Sequence, residues 1–181
     1  PELGDAENVT STSHNANFAI AARERIIGYK DSWLPGAGRV HMAVVSIKKG
    51  LPGWGKMAIY QAFGVPYVAT MVNVVIVVDD DIDPGNNEQI LWALATRVDP
   101  AQDIIITPYM GAYALNPAAN RRDRSFDRTG VTDVSMVSKL GIDATLKRPE
   151  EGRQRPAAEV VRPKQEMYDK ILKKWKKYGF Q

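Results

Sequence analysis

Val74-Val75-Ile76-Val77-Val78-Asp79-Asp80-Asp81-Ile82-Asp83-Pro84 is the stretch on which the fold turns. A run of five β-branched residues, apolar at every position, ends abruptly in acids and a proline. A strand buried on one face alternates between apolar and polar residues; a run with no alternation fits a strand covered on both faces, as at the centre of a parallel α/β sheet. In such sheets ligands gather beyond the carboxyl ends of the strands. Asp79, Asp81 and Asp83 stand at that end. Carboxylates there can hold a divalent metal, because their oxygens are hard ligands. They can equally form the turn and place negative charge at the start of the next helix.

Downstream of the acids, Asn86 is a helix cap with Gln89 three residues on, and Ile90, Leu91, Leu94, Ala95 and Val98 are the expected buried stripe. Asp99-Pro100 stops that helix, and Ile104-Ile105-Ile106 is a second apolar strand. Strand, helix and strand over residues 74–107 therefore read as one crossover joining a parallel pair. Upstream, residues 1–14 form a loose leading segment, and Asn15 to Tyr29 is a helix with Asn15 or Asn17 as cap. Ser32 to Pro35 is a short strand, His41 to Ile47 a full one, and Trp54 to Phe63 a helix. Pro66 to Met71 is a short helical stretch. Regular structure fades from Pro108 to Val137, and Val131 to Leu140 regains a strand. A long irregular loop in a domain of this size is usually functional or disordered. The core spans about 15–147, a polar linker 148–163, and a closing helix 164–178 whose Met167, Tyr168, Ile171, Leu172 and Trp175 form one stripe opposite lysines. The whole is an α/β fold: one domain with a largely parallel sheet and flanking helices.

The 181 residues suffice for one domain with its own core. Net charge is +3, too mild to point to nucleic acid, and no apolar run approaches the length of a membrane span. The absence of cysteine excludes disulfides, thiolate metal sites and cysteine nucleophiles, and fits a cytoplasmic location. The basic clusters at Arg121–Arg128 and Lys170–Lys177 read as solvated surface. His14 and His41 are the only histidines and lie in no zinc-binding spacing. Gly50-Leu51-Pro52-Gly53-Trp54-Gly55-Lys56 precedes a helix but lacks P-loop spacing. No pair of carboxylates is poised as acid and base. The residues thus leave three functions open: a metal-dependent nucleotide-sugar transferase using an Asp-x-Asp motif, a purely structural dimerisation module, and a domain that contributes to a site completed elsewhere.

A resemblance chooses among them. Val78 to Pro84, Leu91 to Pro100 with Asp103, Val44 to Lys49, and Ser138-Lys139-Leu140-Gly141-Ile142-Asp143-Ala144-Thr145 together resemble the C-terminal domain of the UbiD family. Trp175-Lys176-Lys177-Tyr178-Gly179 is similar to the terminal helix of some members. The resemblance implies a reversible decarboxylase of aromatic, heteroaromatic or unsaturated acids that uses prenylated FMN with manganese and potassium. It implies that the metal ligands and a Glu-Arg-Glu catalytic network lie in an N-terminal flavin-binding domain preceding this chain. No catalytic, cofactor-binding or metal-ligating residue is therefore assigned here, and the isolated chain is expected to be inactive. What this domain supplies in relatives is a wall of the substrate pocket and much of the oligomer contact. The resemblance assigns substrate lining to Tyr113 and Leu115, and to Thr70, Met71 and Asn73 ahead of the central strand. The sequence departs from cinnamate-type members at both places, so the expected substrate is an aromatic or phenolic acid, exchanged with CO2. The acids at 79–83 become the family's signature turn.

Overall fold

The computed structural model describes residues 3–35, 40–66, 70–112, 116, 118–119, 136–152 and 164–178, with side chains from Ser13 onward and excepting Lys176. Its elements are α1 (Leu3–Arg23), β1 (Tyr29–Trp33), β2 (Met42–Ile47), α2 (Trp54–Phe63), β3 (Val74–Asp79), α3 (Asn87–Arg97), α4 (Pro100–Asp103), β4 (Ile104–Gly111), β5 (Met136–Asp143) and α5 (Gln165–Lys173). The five strands form one sheet in the order β1-β2-β3-β5-β4. β2, β3 and β5 are parallel, while β1 and β4 run antiparallel at the two edges.

β3 is the central strand, as its unbroken apolar run requires. Val75 and Val77 enter one core with Ala43, Val45 and Ile47 of β2, Ala58, Ile59, Ala62 and Phe63 of α2, and Phe18 and Ala22 of α1. Ile76 and Val78 point the other way, to Val44, Ile82, and Ile90 and Ala93 of α3. Period-2 alternation thus feeds two apolar layers from one strand, and every position must be apolar.

The parallel crossover is β2-α2-β3, not the 74–107 unit expected from sequence. β4 follows α3, yet β5 occupies the place beside β3, with Val74 opposite Leu140 and Ile76 opposite Ile142. β4 then adds to β5 from outside in the reverse direction. Periodicity locates strands; it does not locate their neighbours.

Several boundaries also move. α1 is helical from Leu3, so the leading segment is not loose, and it ends at Arg23 rather than at Tyr29. Gly28 marks the turn into β1: its φ of 68° is left-handed, and a Cβ there would fall 2.6 Å from the Lys48 carbonyl oxygen. Asn15 caps nothing; its side chain accepts the N–H of Leu34 at 2.6 Å and ties α1 to the end of β1. Thr70 and Met71 lie in a turn, not a helix. β4 continues to Gly111, and β5 begins at Met136 and runs to Asp143, beyond the expected end at Leu140.

On α3 the buried residues are Ile90, Ala93 and Arg97, whereas Leu91 is 65% exposed. The expected stripe is therefore rotated toward a charged residue. Asn86 caps as expected, accepting the N–H groups of Glu88 and Gln89. Gln89 bonds the Asp83 N–H at 2.9 Å instead of closing a box on Asn86. The apolar stripe of α5 stays solvent-facing: Met167, Tyr168, Ile171 and Leu172 are exposed, as is Trp175 beyond the end of the helix. Among the described residues no helix is long and apolar enough to cross a membrane.

Candidate functional site

The two ends of the parallel strands differ in chemistry. At the carboxyl end, α3 brings Arg97, with no exposed surface, under the acidic turn. Its guanidinium forks onto Asp81 at 3.0 and 2.6 Å and reaches Asp79 at 3.7 Å. Its other side lies 5.0 Å over the Trp92 ring. Asp79 also accepts the backbone N–H of Leu146. Burial pushes the Asp79 carboxyl up to about 6, against the opposing pull of that N–H, Lys49 and Arg97. Asp83 accepts the Gly85 N–H at 2.8 Å and closes the turn. Asp79 and Asp81 thus face one guanidinium, and Asp83 serves the turn; the geometry gives the Asp-x-Asp metal reading no support. Among the described residues no three His, Cys, Asp or Glu side chains stand together as a metal seat.

A second charged layer adjoins the first. Lys49 donates to Glu151 at 2.7 Å, to Thr145 Oγ1 at 3.2 Å and to the Leu146 carbonyl. Burial alone would raise the Glu151 carboxyl; the N–H of Arg148, the Lys49 ammonium and the N–H of Gly53 outweigh it and hold the group low. Lys147 bridges Asp143 at 3.0 Å and Asp103 at 3.4 Å. The first turn of α2, where a phosphate would sit after the glycine-rich loop, is therefore occupied by the chain's own carboxylates. Glu151 takes the Gly53 N–H at 2.9 Å, and the Asp143 carboxylate lies against Gly55, where no Cβ fits.

The amino end carries the residues that the resemblance assigned to substrate lining. Asn73 extends the β3 ladder, its N–H to the His41 carbonyl and its carbonyl from the Leu140 N–H, both at 2.8 Å. Its side-chain Oδ1 is buried with no hydrogen-bond partner. Met71 is partly buried, and its carbonyl contacts His41 Nδ1 at 2.9 Å. Thr70 is exposed, and a Cβ on Gly111 would lie 3.9 Å from its methyl group. The turn before β3 and the end of β4 therefore meet. Tyr113 and Leu115 lie outside the described residues, one and three positions after the last described residue of that segment, Ala112.

Arg97 and Lys139, two of the buried cations, escaped the sequence reading. Arg97 is announced by spacing, since Ile90, Ala93 and Arg97 fall on one helical face. Lys139 sits in β5, 1% exposed, with its ammonium 5.4 Å from the centroid of the Phe63 ring. Burial pushes its ammonium down to about 8. Its only sequence signal is a lysine inside a strand otherwise rich in apolar residues.

The amino end thus joins two chain-distant segments and carries a buried polar atom without a hydrogen-bond partner. Comparison with known proteins agrees with the fold. Residues 8–144 match the family model described as 3-octaprenyl-4-hydroxybenzoate carboxy-lyase C-terminal domain. An uncharacterized protein of Aeropyrum pernix is 37% identical over 141 residues, 76% of this chain and 26% of that protein. A phenolic acid decarboxylase of Escherichia coli O157:H7 is 36% identical over 104 residues, 58% of this chain and 19% of that protein. The UbiD-class enzyme HmfF from Pelotomaculum thermopropionicum, solved with FMN, superposes with a TM-score of 0.62 at 28% identity, covering 84% of this chain and 31% of that one. Vanillic acid decarboxylase of Sedimentibacter hydroxybenzoicus in its closed form, at 24% identity, shares the fold with a TM-score of 0.78 over 94% of this chain and 33% of that one. The chain spans about a quarter of the length of its curated relatives from Aeropyrum pernix and Archaeoglobus fulgidus.

Proposed function

The chain belongs to the family of UbiD C-terminal domains, and from that premise we propose that it walls the substrate pocket of a decarboxylase or carboxylase acting on an aromatic or phenolic acid. The observation that carries this reading is the meeting of Thr70 with Gly111, which joins the turn before β3 to the end of β4. Thr70, Met71 and Asn73 line the pocket from one side, and Tyr113 and Leu115 from the other. Asn73 Oδ1, buried and unsatisfied here, is completed by a donor from the substrate or from the covering domain.

The partner is an N-terminal flavin-binding domain, which holds prenylated FMN, manganese and potassium and supplies the proton-transfer groups. When bound, that cofactor carries the carbon–carbon bond chemistry; this chain shapes the ring-binding wall and excludes water. A homo-oligomer is supported by the exposed Met167, Tyr168, Ile171 and Leu172 of α5 and by Trp175 just after it, which leave apolar area to cover. The isolated chain is inactive.

The test compares the complete enzyme with the isolated chain, each supplied with prenylated FMN and manganese, on a panel of hydroxybenzoic and cinnamic acids. Release of CO2 by the complete enzyme alone is expected. Turnover by the isolated chain would overturn the division of labour, and no turnover by the complete enzyme would overturn the substrate class.

A further inference from the structure

β4 contains one residue more than its partner requires. Thr107 pairs with Lys139 and Met110 with Val137, so three steps along β4 answer two along β5. The extra residue has a packing purpose. Ile105 and Met110 both pack against the core beneath α2, and an odd separation would place them on opposite faces of a regular strand. The bulge restores the parity.

The residue that absorbs the bulge is Tyr109. Its φ is 54°, and among the described residues it is the one non-glycine position with a left-handed backbone. Its side chain is 81% exposed. Glycine or asparagine would meet the backbone requirement with less strain, and an exposed phenol ring contributes little to the core. The fold accounts for the bulge and leaves the identity of its residue unaccounted for. Such a conflict between local rules and sequence marks functional positions. Tyr109 stands two residues before Gly111, which faces Thr70. Its exposed ring therefore belongs to the segment that meets Thr70, two positions in the chain from a residue with no side chain to obstruct a flat ligand.

We propose that Tyr109 is a specificity-determining residue of this pocket, its ring packing on the face of an aromatic acid seated by Thr70 and Gly111. The inference rests on the pocket reading above and adds to it a residue that the lining segments did not include. Offset stacking of two rings is favoured by dispersion and by the ring quadrupoles, and it selects planar acids.

The test measures KM and kcat of the complete cofactor-loaded enzyme on the hydroxybenzoic or cinnamic acid that the wild type turns over fastest, together with thermal midpoints. Tyr109→Ala and Tyr109→Gly are expected to raise KM about tenfold with kcat within about twofold, and Tyr109→Phe to keep both, since the ring face is retained. Tyr109→Gly is also expected to melt no lower than wild type, because glycine relieves the left-handed strain. That variant decides the matter if Tyr109→Ala folds poorly. Unchanged KM in an active, folded Tyr109→Gly enzyme would overturn this inference alone. So would a proportional loss of kcat with a lowered midpoint, which would mark a structural role. A wild-type enzyme inert toward every aromatic acid would overturn the pocket reading and this inference together.

Discussion

The carboxyl and amino ends of the same three parallel strands are built on opposite principles. At the carboxyl end nearly every charge meets its complement: Arg97 with Asp79 and Asp81, Lys49 with Glu151, Lys147 with Asp143 and Asp103. At the amino end a buried amide oxygen of Asn73 stands unsatisfied, Thr70 is exposed, and Tyr109 holds a left-handed backbone in the β4 bulge. In a doubly wound sheet the carboxyl end is the usual place for a ligand. Here that end is filled by the chain's own ion pairs. The amino end, where the turn before β3 meets the end of β4, is therefore the better candidate for function.

The largest expected effect tests the closed end. Arg97→Ala removes the cation shared by two carboxylates and should destabilise the chain by about 3–5 kcal/mol in urea unfolding. A loss below about 1 kcal/mol would mean that the network is open to solvent. Ile76→Ala, in the strand that serves both ends, should cost about 2–5 kcal/mol by the same measurement, because Ile76 is 4% exposed and surrounded by α3. A near-zero cost would place β3 at an edge and remove the frame of the comparison.

Asp79 sharpens the comparison through pH. Its carboxyl is raised in the fold to about 6 from 3.8, so the folded state binds the proton more tightly than the unfolded chain. The resulting stability is fully present below the unfolded value and is lost as pH rises through about 6. Between pH 4 and 7 this contribution falls by at most about 3 kcal/mol. Asp79→Asn should flatten that part of the stability–pH curve, read as the difference between variant and wild type in urea midpoints. Parallel curves for the two proteins would show that Asp79 keeps an ordinary affinity for its proton.

The smallest expected effect falls at the amino end. Asn73→Leu removes an unsatisfied buried acceptor and should leave the isolated chain within about 1 kcal/mol of wild type, on the stabilising side. In the complete enzyme the same change should lower decarboxylation. A variant that loses stability while the enzyme keeps full activity would reverse the assignment of the two ends.

Much of this was legible in the residues. The unbroken run of β3, the cap at Asn86 and the helix over Trp54 to Phe63 are local consequences of side-chain shape and period, and all three stand where the pattern places them. The rotation of α3 was half legible: the spacing of Ile90, Ala93 and Arg97 was visible, but a preference for apolar residues directed the stripe to Leu91 instead. Thr70, Met71 and Asn73 were assigned to substrate lining through the family pattern, not through any chemistry of their own. Tyr109 and Lys139 carried no comparable sign, because a bulge and a buried lysine depend on what the neighbouring strand supplies.

The sequence by itself determined that β2, β3, α2 and α3 form and that β3 is covered on both faces, since these follow from dihedral preference and from the period of apolar residues. Only the tertiary structure decided that β5 rather than β4 lies beside β3, that the acids close on Arg97, and that the turn before β3 meets the end of β4. Strand pairing and ion pairing join residues far apart in the chain, and no local pattern encodes which distant partner a buried group will meet.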